Sequence, residues 1–178
     1  MKYAALLRGI NMGASNRLAM KDLIPLFEEA GCQSATAYIQ SGNIIFTAPA
    51  ALAKTLPAAI QQGIADRFGY RIPVILRTGP ELAAVIEGNP WLQQGVPEKE
   101  LYVIFLAGTP AEKAVQSLDP ARSAPDAFHV SGQEIYLHLP NGSARSKLTN
   151  AWFDSKLATI STARNWATVL RLFDMTRS

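Results

Sequence analysis

Residues 3–9 read YAALLRG and residues 102–108 read YVIFLAG, two apolar runs closed by glycine and set 99 residues apart. A second match follows each run. Segments 35–40 and 43–47 flank Ser41-Gly42, and segments 127–130 and 133–139 flank Ser131-Gly132, 90 residues further on. Branched and aromatic residues on both sides of a glycine that can take positive φ read as a β-hairpin. A strand and a hairpin that recur in the same order at nearly the same spacing confine the chain to a repeated unit.

The stretches between them are helical. Met20, Leu23, Ile24 and Phe27 recur at i, i+3, i+4 and i+7, and Gly31 stops the run. Pro25 falls inside it, so the helix either starts late or loses stability. The second-half helix is short and opens at Thr109-Pro110. A helix over 50–67 and a strand over 72–77 complete the order β-α-β-β-α-β, the ferredoxin-like unit. A helix over 80–87 and a loop over 89–97 lead into the second unit. That unit is expected to end in helices near 147–157 and 163–174 instead of a fourth strand, with Ser161 or Thr162 as a cap. Trp166, Val169, Leu170 and Phe173 form the apolar stripe of the last helix, and Arg164, Thr168 and Arg171 another face. The predicted fold class is therefore α+β: two ferredoxin-like (βαββαβ-type) units from an internal duplication, plus C-terminal helices. The boundaries are a first unit over 1–78, a linker over 79–99 and an incomplete second unit over 100–178.

Composition fits a core-forming chain, with 48% hydrophobic and 17% charged residues in 178. No apolar run approaches the length of roughly 18 residues that a membrane-crossing helix needs. The apolar stretch before Arg8 is too short for a signal-peptide core. The single cysteine, Cys32, has no internal disulfide partner. Together these predict a cytoplasmic protein without membrane contact. The net charge of +3 is concentrated in residues 142–178, which carry +4 against −1 for the remainder. A solvated helical face accounts for that tail more simply than an anion-binding surface.

The repeat also serves as an internal control. After its strand the second half reaches its helix through Thr109-Pro110 alone, and Ala107 stands where the first half has Arg8. The first half spends RGINMGASNR on the same junction. In a βαββαβ unit the loop after the first strand meets the turn between the second and third strands at one rim. Arginine, amide side chains and glycine-exposed N–H groups there suit a planar anion, and the helix starting near Ala19 aims its positive end the same way. The candidate ligand-binding residues are Arg8, Asn11, Gly13, Asn16, Ser41, Gly42 and Asn43, with Arg164 as a further contact. The spacing is neither a Walker A loop nor G-x-G-x-x-G. An Asn/Gly loop that satisfies its own backbone reads equally well from these residues.

The blocks RGINMGASNRLAM, TAYIQSGNIIF, SKLTNAWFDSKL and TARNWATVLRL resemble, in order, the bacterial family catalogued as domain of unknown function 1697. The family's Arg-Gly-Ile-Asn start, Tyr-Ile-Gln-Ser-Gly-Asn hairpin and Arg-Asn-Trp helix start map onto residues 8–11, 38–43 and 164–166. Ala14 stands where a second glycine is common, and Ala167 where an asparagine often follows the tryptophan. The resemblance implies an α+β fold of duplicated units and carries no activity with it.

Other chemistry finds little footing. A hairpin turn at Ser131-Gly132 puts His138 opposite Pro125, about 13 Å along the strand from His129, so no metal site is expected. Ser41 has no base nearby in the two N-terminal blocks beyond Lys21 and Asp22. Cys32 follows a helix end, where the dipole disfavours thiolate. Neither a catalytic residue nor a cofactor is assigned. The function classes left open are a small anionic ligand (phosphate- or carboxylate-bearing, nucleotide-like included) bound with or without catalysis, an RNA-binding module, and a protein-interaction or oligomerisation domain.

Overall fold

The computed structural model describes residues 1–177 as a mixed α+β chain with two four-stranded antiparallel sheets and six α-helices. It divides into two compact units, residues 1–83 with 172–177, and residues 84–171.

The first sheet is built from β1 (Lys2–Leu7), β2 (Gln33–Tyr38), β3 (Asn43–Thr47) and β4 (Val74–Thr78), in the order β2-β3-β1-β4. Alternation along β1 decides its faces. Tyr3, Ala5 and Leu7 join the core beneath α1 (Met20–Glu29) and α2 (Ala50–Phe68), where they meet Leu23, Phe27, Ile44, Phe46, Leu56, Ile60 and Ile64. Ala4 and Leu6 point to the opposite face and are also fully buried. Pro25 lies inside α1 and the helix does not start late. The ring removes the amide that would bond to the Lys21 carbonyl, and burial of Met20, Leu23, Leu26 and Phe27 offsets that loss.

The second unit repeats this arrangement with β5 (Leu101–Leu106), α4 (Glu112–Gln116), β6 (Ala127–Ser131), β7 (Glu134–His138), α5 (Asn150–Leu157) and β8 (Ser161–Asn165), in the order β6-β7-β5-β8. Its core gathers Ile104, Leu106, Ile135, Leu137, Phe153 and Leu157. The connecting helix α3 spans Gly79–Glu87, and α6 spans Trp166–Arg177.

The second unit differs from its sequence pattern at four points. The second sheet has a fourth strand, β8, where a helix was expected from residue 163; α6 begins at Trp166. Ser161 and Thr162 are therefore strand residues, and Asn165 caps the helix by accepting the Thr168 N–H at 2.9 Å. The hairpin turn of the second unit is Gly132-Gln133, not Ser131-Gly132, because Ser131 pairs with Glu134. That register puts His138 opposite Ala127 and His129 opposite Tyr136. The two histidines are thus only about 7 Å apart along the strand direction. His138 Nε2 lies 2.8 Å from Glu100 Oε2, while the His129 ring stacks on Tyr136.

Candidate functional site

The loop over residues 8–18 leaves β1 through backbone that few side chains tolerate. Gly9, Asn11, Gly13 and Asn16 all take positive φ. Asparagine reaches this region more easily than other side-chain-bearing residues because its amide bonds locally. Asn11 uses its whole side chain. Its Nδ2 donates to the Leu18 carbonyl at 2.7 Å and to the Gln40 carbonyl at 2.8 Å, and its Oδ1 accepts the Leu18 N–H at 2.8 Å. Asn16 Nδ2 donates to the Gly9 carbonyl at 3.2 Å, and the Asn11 N–H to the Asn16 carbonyl at 3.1 Å. The loop is a closed, internally bonded feature that fastens itself to the β2–β3 turn.

That turn is fixed from the other side by Asn43, fully buried, whose Nδ2 donates to the Tyr38 carbonyl at 3.3 Å and to Ser41 Oγ at 3.0 Å. The Leu7 N–H bonds to the Gly42 carbonyl at 2.8 Å. Gly42 has φ +86°, and a Cβ there would lie 3.0 Å from Leu7 O, Leu7 Cβ and Ile10 Cγ1. Arg8, Asn11, Gly13, Asn16, Ser41, Gly42 and Asn43 are thereby gathered at one rim of the first unit. The amides of Asn11, Asn16 and Asn43 are spent on holding it. Exposed on the rim are the 12–15 tip, Arg17, Gln40 and Ser41, with Arg8 half-buried beside them; Met12 and Ile39 are two large apolar side chains 72% and 51% exposed. Ile39 takes φ +49°, a costly conformation for a β-branched residue and one that clusters at working sites.

Arg164 belongs to the second unit. It lies on β8, not on a helix, paired with Val103, and is buried. Its Nη1 donates to Thr162 Oγ1 at 2.8 Å and to the Ala163 carbonyl at 2.7 Å, and burial lowers its pKa to about 10. Arg77 occupies the corresponding place on β4. It pairs with Ala4, is buried, and donates Nη1 to the carbonyl of its own preceding residue at 2.9 Å. Arg77 carries no local sequence signal of its own: each arginine is the fourth residue of a five-residue strand that runs directly into a helix, but only β4 is apolar, so the correspondence emerges from the paired strands.

The third sequence block meets the start of β8 at Ser161, just before the fourth block. Ser161 Oγ lies 2.7 Å from Asp154 Oδ1 and 3.1 Å from Asn150 Oδ1, which ties α5 to β8. Cys32 is buried, and desolvation raises its thiol pKa. Native protein at neutral pH is therefore expected to leave Cys32 unmodified by a thiol-specific chromogenic reagent over minutes, with stoichiometric reaction only in urea. Rapid labelling of the folded chain would contradict this. Among the described residues no group of three or more His, Cys, Asp or Glu side chains could hold a metal ion, and no helix is long and apolar enough to cross a membrane.

The profile of the family described as "Protein of unknown function (DUF1697)" matches residues 1–136, which includes the whole rim. The chain belongs to the DUF1697 family. The last two resembling blocks lie beyond the matched residues. Among solved structures, the conserved bacterial protein SP0830 from Streptococcus pneumoniae is similar over 98% of both chains, with a TM-score of 0.68 at 22% identity. That likeness is one of fold. A search of curated proteins found no match.

Proposed function

We propose that the chain binds a small anionic ligand, phosphate- or carboxylate-bearing, at the rim of the first unit. The observation that carries this reading is a matched pair of backbone hydrogen bonds. The Arg8 N–H reaches the Pro73 carbonyl at 3.0 Å, and the Ala107 N–H reaches the Ile160 carbonyl at 2.8 Å. Likewise the Leu7 N–H bonds Gly42 O, and the Leu106 N–H bonds Gln133 O, both at 2.8 Å. Arg8 and Ala107 thus stand at equivalent points of equivalent scaffolds, and the second scaffold closes without an arginine or an asparagine-bonded loop. Loops added to a rigid scaffold are where binding concentrates. In support, α1 begins just after Leu18 and its N-cap, Ala19, supplies no side-chain bond to the first turn.

The same matches lead us to infer that the chain is an internal duplication of a ferredoxin-like unit, since each sheet has the 4-1-3-2 strand order of βαββαβ. A buried single cysteine is in keeping with a reducing cytoplasm. Stacking of RNA on the face of the first sheet opposite α1 and α2 has little support, because Ala4, Leu6 and Ile45 on that face are buried. Exposed Met12 and Ile39 favour a second reading, in which the rim contacts a protein partner.

The test is Arg8→Ala, the residue the second unit itself uses. Hydrogen bonds to charged groups contribute about 1.5–3 kcal/mol, so affinity for inorganic phosphate or a nucleoside monophosphate should fall about tenfold or more. The urea midpoint should stay close to that of the wild type. Equal affinity in both proteins places the anion elsewhere, and a loss of several kcal/mol of stability makes Arg8 a structural residue.

A further inference from the structure

The second unit departs from the first at the other end of its sheet. In the first unit residues 30–32 join α1 to β2, and residues 48–49 join β3 to α2. In the second unit the corresponding connections are residues 117–126 and 139–149. Neither extension alters the strand order, and ordering long loops costs chain entropy. Both are nevertheless held in place. Arg122 Nε donates to the Lys147 carbonyl at 2.9 Å, and the Lys147 N–H donates to Ser123 Oγ at 2.9 Å. The Arg122 guanidinium also sits 4.6 Å above the centre of the Trp152 ring.

Between the two stitched loops lies a cavity of about 230 Å³, below the ordinary range for drug-sized ligands. Ala124 and Pro125 form an apolar wall, and Asp126, Asn141 and Arg145 supply the polar groups. Asp126 is buried and its Oδ2 accepts from Ser123 Oγ at 2.8 Å. Its Oδ1, the Asn141 amide and the Arg145 guanidinium carry no hydrogen bond among the described residues. A simple anion would meet the Asp126 carboxylate here, and a simple cation would meet Arg145. A molecule that bears both charges close together satisfies both.

We propose that this cavity binds a small zwitterion of the α-amino acid class. The ammonium group pairs with Asp126, the carboxylate pairs with Arg145, and the Asn141 amide fixes orientation. The cavity volume and the apolar wall select a short side chain. This site is independent of the anion rim of the first unit, so Arg8→Ala leaves it unchanged.

Calorimetric titration of the full chain with glycine, L-alanine and L-serine tests the assignment, with L-alaninamide, N-acetyl-L-alanine and acetate as blocked or partial probes. At least one amino acid is expected to bind, with the blocked analogues about tenfold weaker or worse. Arg145→Ala, at an exposed position, should weaken L-alanine about tenfold and abolish its advantage over the amide. Asp126→Asn should abolish the advantage over the N-acetyl compound. The proposal is overturned if none of the three amino acids binds, if Arg145→Ala binds as the wild type does, or if acetate binds as tightly as the amino acids.

Discussion

Gly42→Ala is expected to lower the unfolding free energy by about 2–4 kcal/mol, the sum of left-handed backbone strain and overpacking. Two of the atoms a Cβ would press at 3.0 Å, Leu7 O and Leu7 Cβ, belong to the central strand and its carbonyl, which have little freedom to yield. The third, Ile10 Cγ1, belongs to a fully buried side chain at the root of the arginine loop. The displacement therefore passes directly into the rim, and the anion binding proposed for it should weaken together with stability. Gly132→Ala is the matched control. Its φ of +57° imposes similar strain, but the nearest atom is a glutamate oxygen at 4.0 Å. Its cost should be about 1 kcal/mol, from the backbone alone. Urea midpoints of the two variants measured together decide the matter; equal losses would show that close approach at Gly42 has no energetic weight.

Asn11→Ala is expected to cost about 2–3 kcal/mol, for three hydrogen bonds of about 1 kcal/mol each, reduced by the loop's partial exposure and increased by strain at a positive φ. The lost bonds leave Leu18 N–H and the Leu18 and Gln40 carbonyls without their amide partner. Asn11→Gly separates the two contributions, since glycine keeps the backbone relaxed and deletes only the amide. If the glycine variant matches the wild type, the amide does not hold the loop. Amide hydrogen exchange at Leu18 gives a local readout, and protection there should fall in both variants.

Much of the scaffold was legible before any coordinates. YAALLRG and YVIFLAG alternate between two buried faces, and α1 shows the 3.6-residue period of a helix with one apolar side. Both patterns are set by which face of a single element must leave water, so they survive without knowledge of neighbours. The rim was legible for the same reason: once β1, α1 and the hairpin are in order, topology alone brings residues 8–18 to the turn at 39–42.

The strand Ser161–Asn165 was not legible. STARN is short and polar and has none of the alternation of a half-buried strand, while Ser161 and Thr162 resemble helix caps. They are buried because β5 offers them a ladder of backbone hydrogen bonds and because Asp154 and Asn150 take up the Ser161 hydroxyl. Such partners lie far apart in sequence, and no local pattern announces them. The turn at Gly132-Gln133 slipped by one residue from the expected place because hairpin register is set by the pairing of whole strands against the core, not by the glycine alone.

The asparagines mark the division most clearly. Their presence at the junction after β1 and at the β2–β3 turn, against Thr109-Pro110 and Ser131-Gly132-Gln133 at the equivalent places of the second unit, was plain from the residues, and that contrast pointed to a built loop. Whether Asn11, Asn16 and Asn43 face a ligand or their own backbone depends on carbonyls up to 29 residues away. The chain's own pattern determined where strands and helices form and where the two halves differ, because burial periodicity is a local property. The tertiary structure decided which polar groups are spent on the scaffold, which pair of loops lines the open cavity of the second unit, and that Arg164 belongs to a strand. Hydrogen-bond satisfaction and loop closure depend on neighbours that only folding brings together.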